Sequence, residues 1–523
     1  MSTTQTSLHV IPKTRQSLLA HLGPLFLTVG LFLLLGYHPF AEDAGMYLCA
    51  VKQCLHPSLF EAVQPFVASY AHLSAFPWLL ASLTRLSHLP LDWLLFLTQV
   101  ALLWFLVYSL YRLSRLCFLT RTACWVSTIL AVLAMSTPVA GTSLSLADPY
   151  LTSRSIATPL TLLLLVFVLE ERAYPALAML GLLAAFHPLM ALYALFFALI
   201  VWMQHELRLK ATLILCGAVF SSMTITALIA SLAPDSPAAA QAALTRTYFF
   251  LSQWHWYEIS GLLLPLAILF CLYVSDSGHF APQLLRRAAL SSASLACGVT
   301  SILISLIYAQ PHSASYAVAR LQPLRIFHTV YLVMFVLLGG TLAEWLARRA
   351  RSRTMRYAAL STVLLAAAVA MLLTGQQTFP ASTHIEAPWR IPRNPWMQAF
   401  LWVRQSTPQN AIFALDANYI TTDGEDAINF RAVSERSSLS DYSKDGGASA
   451  IFPRLAPIWQ RGMKLSTDLS TLTDAVRIQR LQPAGVGWLI LQKRLQIGDA
   501  RTGFDCPYSN DTVMVCRLPV TPQ

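Results

Sequence analysis

Apolar runs of about 17–25 residues recur along this chain from residue 17 to about residue 374. A run of that length crosses a hydrocarbon core of roughly 30 Å as a helix, and in lipid only helices and closed barrels satisfy every backbone polar group. Most of the chain is therefore expected to form a helical bundle in a membrane. Composition agrees, with 56% of the 523 residues hydrophobic and only 12% charged, against roughly 25% charged in an ordinary soluble domain. From residue 380 the sequence turns polar and carries many of the acids. The expected architecture is a polytopic α-helical membrane domain over 1–379, followed by a soluble α/β domain over 380–523.

The net charge of +11 does not point to nucleic acid, because Lys and Arg fall in short clusters between apolar runs and form no stripe interleaved with aromatics. Such clusters orient a chain during insertion, basic side inward. Lys13 and Arg15 precede a first run that ends in GYHPF without a small-residue cleavage site, so it reads as a retained signal anchor with a cytoplasmic N-terminus. The other clusters are Arg112-Arg115-Arg121, Glu170-Glu171-Arg172, HELRLK at 205–210, Arg286-Arg287 and RRARSRTMR at 348–356. All of them stay inside if 66–87, with its scattered Ser69, His72, Ser74 and Pro77, lies at the outer interface or re-enters. About eleven spans follow, near 17–36, 91–111, 119–135, 156–169, 174–186, 188–203, 211–232, 259–274, 288–308, 325–346 and 356–374. The pair at 174–203 depends on a break at His187-Pro188; one long tilted helix there would invert everything on one side of it. The outer face then holds loops 37–90, 136–155, 233–258 and 309–324, together with the C-terminal domain.

Chemistry concentrates in those loops. Glu42 and Asp43 follow the first span, where a helix is expected over AEDAGMYLCAVKQCL. Acids at a helix N-terminus are favoured by its dipole by roughly 0.3–1 kcal/mol each, and a carboxylate at a membrane surface can equally serve as a general base or metal ligand. Asp148 in LADPY is an ordinary turn former. Arg154 opposes the inside bias for basic residues and needs an acid or a phosphate beside it. Arg320 and Arg325 repeat that anomaly, and two arginines around QP suit either headgroup contact or recognition of a lipid phosphate. His312 and His328 stand nearby as isolated packing histidines. Trp254, Trp256 and Tyr257, beside His255 and Glu258, fit an interfacial aromatic belt or a stacking platform for a sugar ring.

In the tail, NPWMQAFLWVRQSTPQNAIFALD reads as an amphipathic helix, a turn and a strand from near Ala411, with further strands expected at GVGWLILQKR and at DTVMVCRL. The stretch FRAVSERSSLSDYSKDGG, 430–447, reads as a solvated loop or as a binding loop over a membrane-facing site. Nine cysteines are present. Five (Cys117, Cys124, Cys216, Cys271, Cys297) belong to apolar runs as small core residues, and Cys49 and Cys54 read as structural or free. Cys506 and Cys516 flank a polar turn and are expected to pair in an oxidising compartment. P-loop, CxxC, HExxH and GxSxG patterns are absent from the sequence.

An acidic pair just after span one, about eleven spans and an outer C-terminal α/β domain together resemble the GT-C superfamily of membrane glycosyltransferases. PYLTSRSIAT at 149–158 is similar to the Y-[IL]-S-R-S-V-A stretch of oligosaccharyltransferase catalytic subunits. WVRQSTPQNAIF is similar to the pattern W-[LI]-x-x-N-T-P-x-D-A-x-[VI] that opens many C-terminal domains of this superfamily. The resemblance implies transfer of a sugar from a polyprenyl-phosphate donor to a glycan, lipid or protein acceptor, at the outer face of a bacterial inner (plasma) membrane, with membrane lipids as neighbours. It implies Asp43, or else Glu42, as the catalytic carboxylate, with Asp148 as the second-loop acid sharing a divalent metal, Mg or Mn, in some members. Arg320, Arg325 and Arg154 would hold the donor phosphate. The chain departs from the pattern in having ED where oligosaccharyltransferases have DxD, and DYSKDGG in place of their WWDYG. A lipid or glycan transporter or flippase, or a non-catalytic scaffold of the same fold, are the competing functions.

Overall fold

The computed structural model describes residues 13–203, 208–422 and 424–519; part of the HELRLK cluster lies outside them. The expected apolar runs form helices. Six of these, Leu91–Cys117, Lys210–Ser231, Trp256–Asp276, Pro282–Tyr308, Ala317–Arg349 and Arg353–Thr378, are long and apolar enough to cross a membrane. Five shorter apolar helices accompany them: Leu22–Leu35, Arg121–Leu133, Ser153–Leu169, Ala173–Phe186 and Pro188–Met203. Helix Trp256–Asp276 exposes Leu263, Leu264, Phe270 and Val274, an apolar face that suits lipid and not water. The chain is thus an integral membrane protein.

At the centre, helix Phe327–Arg349 packs on helix Arg121–Leu133. The contact is built on small residues: a Cβ at Gly339 would meet the Ser127 Cα at 2.9 Å, and one at Gly340 would enter the Phe118 ring. Ser127 Oγ donates to the Val336 carbonyl at 2.6 Å across the same contact. Between helices in lipid, close backbone approach of this kind replaces the missing hydrophobic drive.

Segment 61–87 is not a straight helix. Glu61–Leu73 and Phe76–Ser87 meet at 90°, and the polar residues noted in the sequence explain how. Ser74 Oγ donates to the Phe186 carbonyl at 2.6 Å and accepts from Phe76 N–H at 3.1 Å. The Ala75 N–H donates to the Ala185 carbonyl at 2.9 Å. The backbone groups freed by the bend are thereby satisfied by the end of helix Ala173–Phe186, as burial requires. That helix stops at His187, and helix Pro188–Met203 packs back on it and on Ser153–Leu169.

The tail contains a mixed five-stranded sheet. Its strands are β1 (Ile412–Leu415), β2 (Ser437–Ser438), β3 (Trp488–Gln492), β4 (Tyr508–Ser509) and β5 (Val513–Arg517), in the order β2-β1-β3-β5-β4. β1 runs parallel to β2 and β3, and β5 runs antiparallel to β3 and β4. Helix Pro395–Ser406 is capped by Asn394, whose Oδ1 accepts from the N–H groups of Trp396 and Met397 at 2.9 and 3.2 Å. Cys506 and Cys516 form the expected disulfide.

Segment 430–447 corrects the loop reading. It forms helix Phe430–Ser434, β2 and the start of helix Lys444–Ile451, and its Arg431, Arg436, Asp441, Lys444 and Asp445 are buried. Its charge density serves internal pairing, not solvation. The segment packs on helix Ala44–Leu55 of loop 37–90. A Cβ at Gly45 would stand 2.1 Å from Asn429 Cβ, so only glycine admits this approach. Lys52 Nζ bonds to the Ala432 carbonyl and to Glu435 Oε1, both at 2.7 Å. Ala448, Ala450, Leu455 and Trp459 share one apolar core with the N-terminal helices. The tail therefore does not hang from the bundle; its middle third closes over it.

Candidate functional site

Where loop 37–90, loop 136–155, loop 233–258, residues 320–325 and helix Lys444–Ile451 meet, they enclose a cavity of about 860 Å³. Glu42, Asp43, Asp148, Arg154, Arg246, Arg320, Arg325 and Lys444 line it, and Leu35, Leu73, Leu189, Leu192 and Phe379 give it apolar walls. The backbone aims the acids. Glu42 takes a left-handed conformation (φ 49°), and Asp43 stands at the N-cap of helix Ala44–Leu55 without accepting a hydrogen bond from that helix's own N–H groups. Local capping thus does not consume the Asp43 carboxylate.

Lys444 answers the pair. Its Nζ forms an ion pair with Glu42 Oε2 and lies 3.1 Å from Asp43 Oδ1; Lys444 is 10% exposed, the acids 37% and 36%. Burial would raise the Asp43 carboxyl, but Lys444 first, then Arg154 and Arg325, outweigh it and hold its pKa down at about 2. The carboxylate is ionised at any physiological pH. Lys444 in turn stays charged, because the two acids overcome the burial that would lower it.

Arg154 finds the acid that its position demanded. Its Nε and Nη2 donate to Asp148 Oδ2 at 3.1 and 2.5 Å, while Gln99 Nε2 holds the Asp148 carbonyl at 3.2 Å. Burial raises the Asp148 carboxyl despite Arg154, with Asp43 and Glu42 adding to the rise. Arg320 is also paired: its Nη2 lies 2.8 Å from Asp235 Oδ1 and its Nε donates to the Ala450 carbonyl at 2.9 Å. Its geometry is that of a tether between loop 233–258 and helix Lys444–Ile451. Arg325 differs. It lies over the Tyr248 ring at 5.3 Å, its Nε has no hydrogen-bond partner, and no carboxylate pairs with it among the described residues.

Trp254, Trp256 and Tyr257 of loop 233–258 do not line the cavity, whereas Tyr248 of the same loop does. Trp254 is buried against Gly141, whereas Trp256 and Tyr257 are 80% and 56% exposed at the start of their helix, where an interfacial belt places such rings. His328 packs with Nε2 3.1 Å from the Leu146 carbonyl. Sequence reasoning missed Lys444, Arg246 and Tyr248. DYSKDGG was visible as a charged stretch, but nothing local said which of its charges would reach residue 43.

The donor set does not fit a divalent metal. Lys444 already bridges Glu42 and Asp43, Arg154 binds Asp148, and no group of three or more His, Cys, Asp or Glu side chains gathers among the described residues. Such a cation takes about six oxygen ligands.

Lys444 is held from behind by Asp441, whose Oδ1 accepts from the Lys444 N–H at 2.5 Å. Burial first, then the Asp445 charge, push the Asp441 carboxyl from 3.8 up to about 7, against the pull of Arg431. The folded chain therefore binds this proton more tightly than the unfolded chain does. The resulting stability is fully present below pH 3.8 and is lost as pH rises to about 7. Asp441→Asn keeps the accepting oxygen and removes the titration. The difference in unfolding midpoint between wild type and this variant is expected to move against the wild type as pH rises from about 4 to about 7. A difference that stays constant across that range would show that Asp441 does not titrate there.

In comparisons with known proteins, no family model matches the chain and no curated sequence matches it.

Proposed function

We propose that this protein is an integral membrane glycosyltransferase of the GT-C type, moving a sugar from a polyprenyl-phosphate donor to an acceptor at the outer face of the membrane. The topology that goes with it has all eleven apolar helices crossing and the C-terminal region outside. One observation carries the reading: a single cavity is lined by the Glu42–Asp43 carboxylates, by Arg325, a cation without a carboxylate partner among the described residues, and by apolar walls. An amphiphile with a phosphate head and a hydrocarbon tail matches that combination. Arg325 supplies charge-assisted hydrogen bonds to the phosphate, and Leu189 and Leu192 are among the apolar residues that line the cavity.

In this reading the acceptor oxygen attacks the anomeric carbon. The carbon–oxygen bond to the phosphate breaks, and its electron pair leaves with a polyprenyl phosphate that needs no proton. Asp43, ionised and half open to the cavity, orients the acceptor hydroxyl and accepts its proton as the new bond forms. Arg325 stabilises the charge that grows on the departing phosphate. Direct displacement inverts the anomeric configuration.

Arg325→Met removes the cation and keeps the stem that covers Tyr248. A charged hydrogen bond contributes roughly 1.5–3 kcal/mol, so polyprenyl phosphate is expected to bind the variant at least about tenfold more weakly, read as the ligand-induced shift in unfolding temperature of the purified protein. Equal shifts in both proteins, or none in the wild type, would remove the basis of the assignment.

A further inference from the structure

The acidic pair already holds a cation, and the chain itself supplies it. We infer that Lys444 takes the place of a divalent cation at Glu42 and Asp43, so that the pair works without metal and the site is complete only when helix Lys444–Ile451 docks. How the pair is neutralised is independent of the proposed sugar transfer; only what the pair then does rests on that reading.

Three observations carry the inference. The Lys444 ammonium reaches both carboxylates, bonding to Glu42 and standing 3.1 Å from Asp43 Oδ1, which uses two of its three donors. Its backbone is fixed from several sides. Asp441 Oδ1 accepts from its N–H at 2.5 Å, and Arg246 donates to the carbonyls of Tyr442 and Ser443 at 2.8 and 2.9 Å. A Cβ at Gly446 would come 3.0 Å from Arg246 Nη2, so the turn beside Lys444 is closed tightly onto that arginine. A lysine held in this way is part of the wall, not a surface side chain that has drifted onto two acids. Finally, the remaining cavity acid, Asp148, is taken by Arg154. A metal at the pair would have to expel Lys444, with water supplying its remaining ligands.

Mn²⁺ titration of the purified full-length protein, followed by the electron paramagnetic resonance signal of the free ion, tests this. Wild type is expected to leave the signal of equimolar Mn²⁺ unchanged. Lys444→Gln leaves the acids bare and is expected to take up the ion, with uptake lost again on adding Asp43→Asn; Lys444→Arg keeps a cation and is expected to behave as wild type. Uptake by wild type that Asp43→Asn abolishes would overturn the inference. A folded Lys444→Gln protein that takes up no ion would overturn it too, since the pair would then be no cation site. If Lys444→Gln does not fold, the wild-type titration still decides. None of these readouts needs a sugar donor, so failure to detect transfer would count against the functional reading alone. Where transfer is found, its rate in excess chelator is expected to equal its rate in Mg²⁺.

Discussion

Asp43→Asn is expected to lower sugar transfer by about 10²–10⁴-fold, the range for loss of a positioned proton acceptor, while leaving the protein folded and able to bind polyprenyl phosphate. The substitution keeps the shape of the side chain and deletes its charge. Lys444 retains its ion pair with Glu42, and helix Ala44–Leu55 loses no cap, because the Asp43 carboxylate makes no bond to that helix. Arg325, which would hold the phosphate, lies on a different segment and is untouched. Transfer and binding should therefore separate: product formation from a labelled lipid-linked sugar falls, and the stabilisation by polyprenyl phosphate persists. Glu42→Gln serves as the comparison, since it removes the neighbouring charge but spares Asp43. Retained transfer in Asp43→Asn with loss in Glu42→Gln would reassign the role to Glu42, and retained transfer in both would end the catalytic reading of the pair.

The second large effect is structural. Arg431 is buried and makes paired bonds to Asp445 at 2.7 and 2.6 Å, with further bonds to Ser438 Oγ and to the carbonyls of Ser438 and Leu439. Removing one partner of a buried ion pair costs about 3–5 kcal/mol, because the other charge is left without compensation. Arg431→Met is expected to destabilise by that amount and to weaken transfer as well, since Asp445 belongs to the helix that begins at Lys444. A double variant, Arg431→Met with Asp445→Leu, removes both charges and should recover part of the loss. Thermal unfolding of the three proteins measures this. An unchanged midpoint for Arg431→Met would mean that segment 430–447 is not held by this pair.

These residues also mark how far a one-dimensional reading reaches. The helices were legible because an apolar run in lipid has no other way to satisfy its backbone, and Ser74 and Pro77 marked 66–87 as an imperfect run, although its 90° bend was not read. The acids at 42 and 43 stood out as charges just beyond a span. The same reading did not see that Arg320 bonds to Asp235, and it offered a solvated loop for 430–447, where most of the charged side chains are buried. Both gaps have one cause: a charge shows in the sequence, but its partner does not.

What the sequence determined by itself was the membrane bundle, three of the five strands of the tail, the Cys506–Cys516 bridge and the presence of acids just beyond the first apolar run, all consequences of local pattern. What only the tertiary structure decided was the pairing: Arg154 with Asp148, Arg320 with Asp235, and Lys444 with two acids some four hundred residues upstream. Hydropathy and backbone hydrogen bonding act over a helical turn or a run of residues, so periodicity reports them. Charge compensation acts through space and is fixed by which segments pack together, so it enters only when Gly45 lets the tail close on the first loop and carries Lys444 to Asp43.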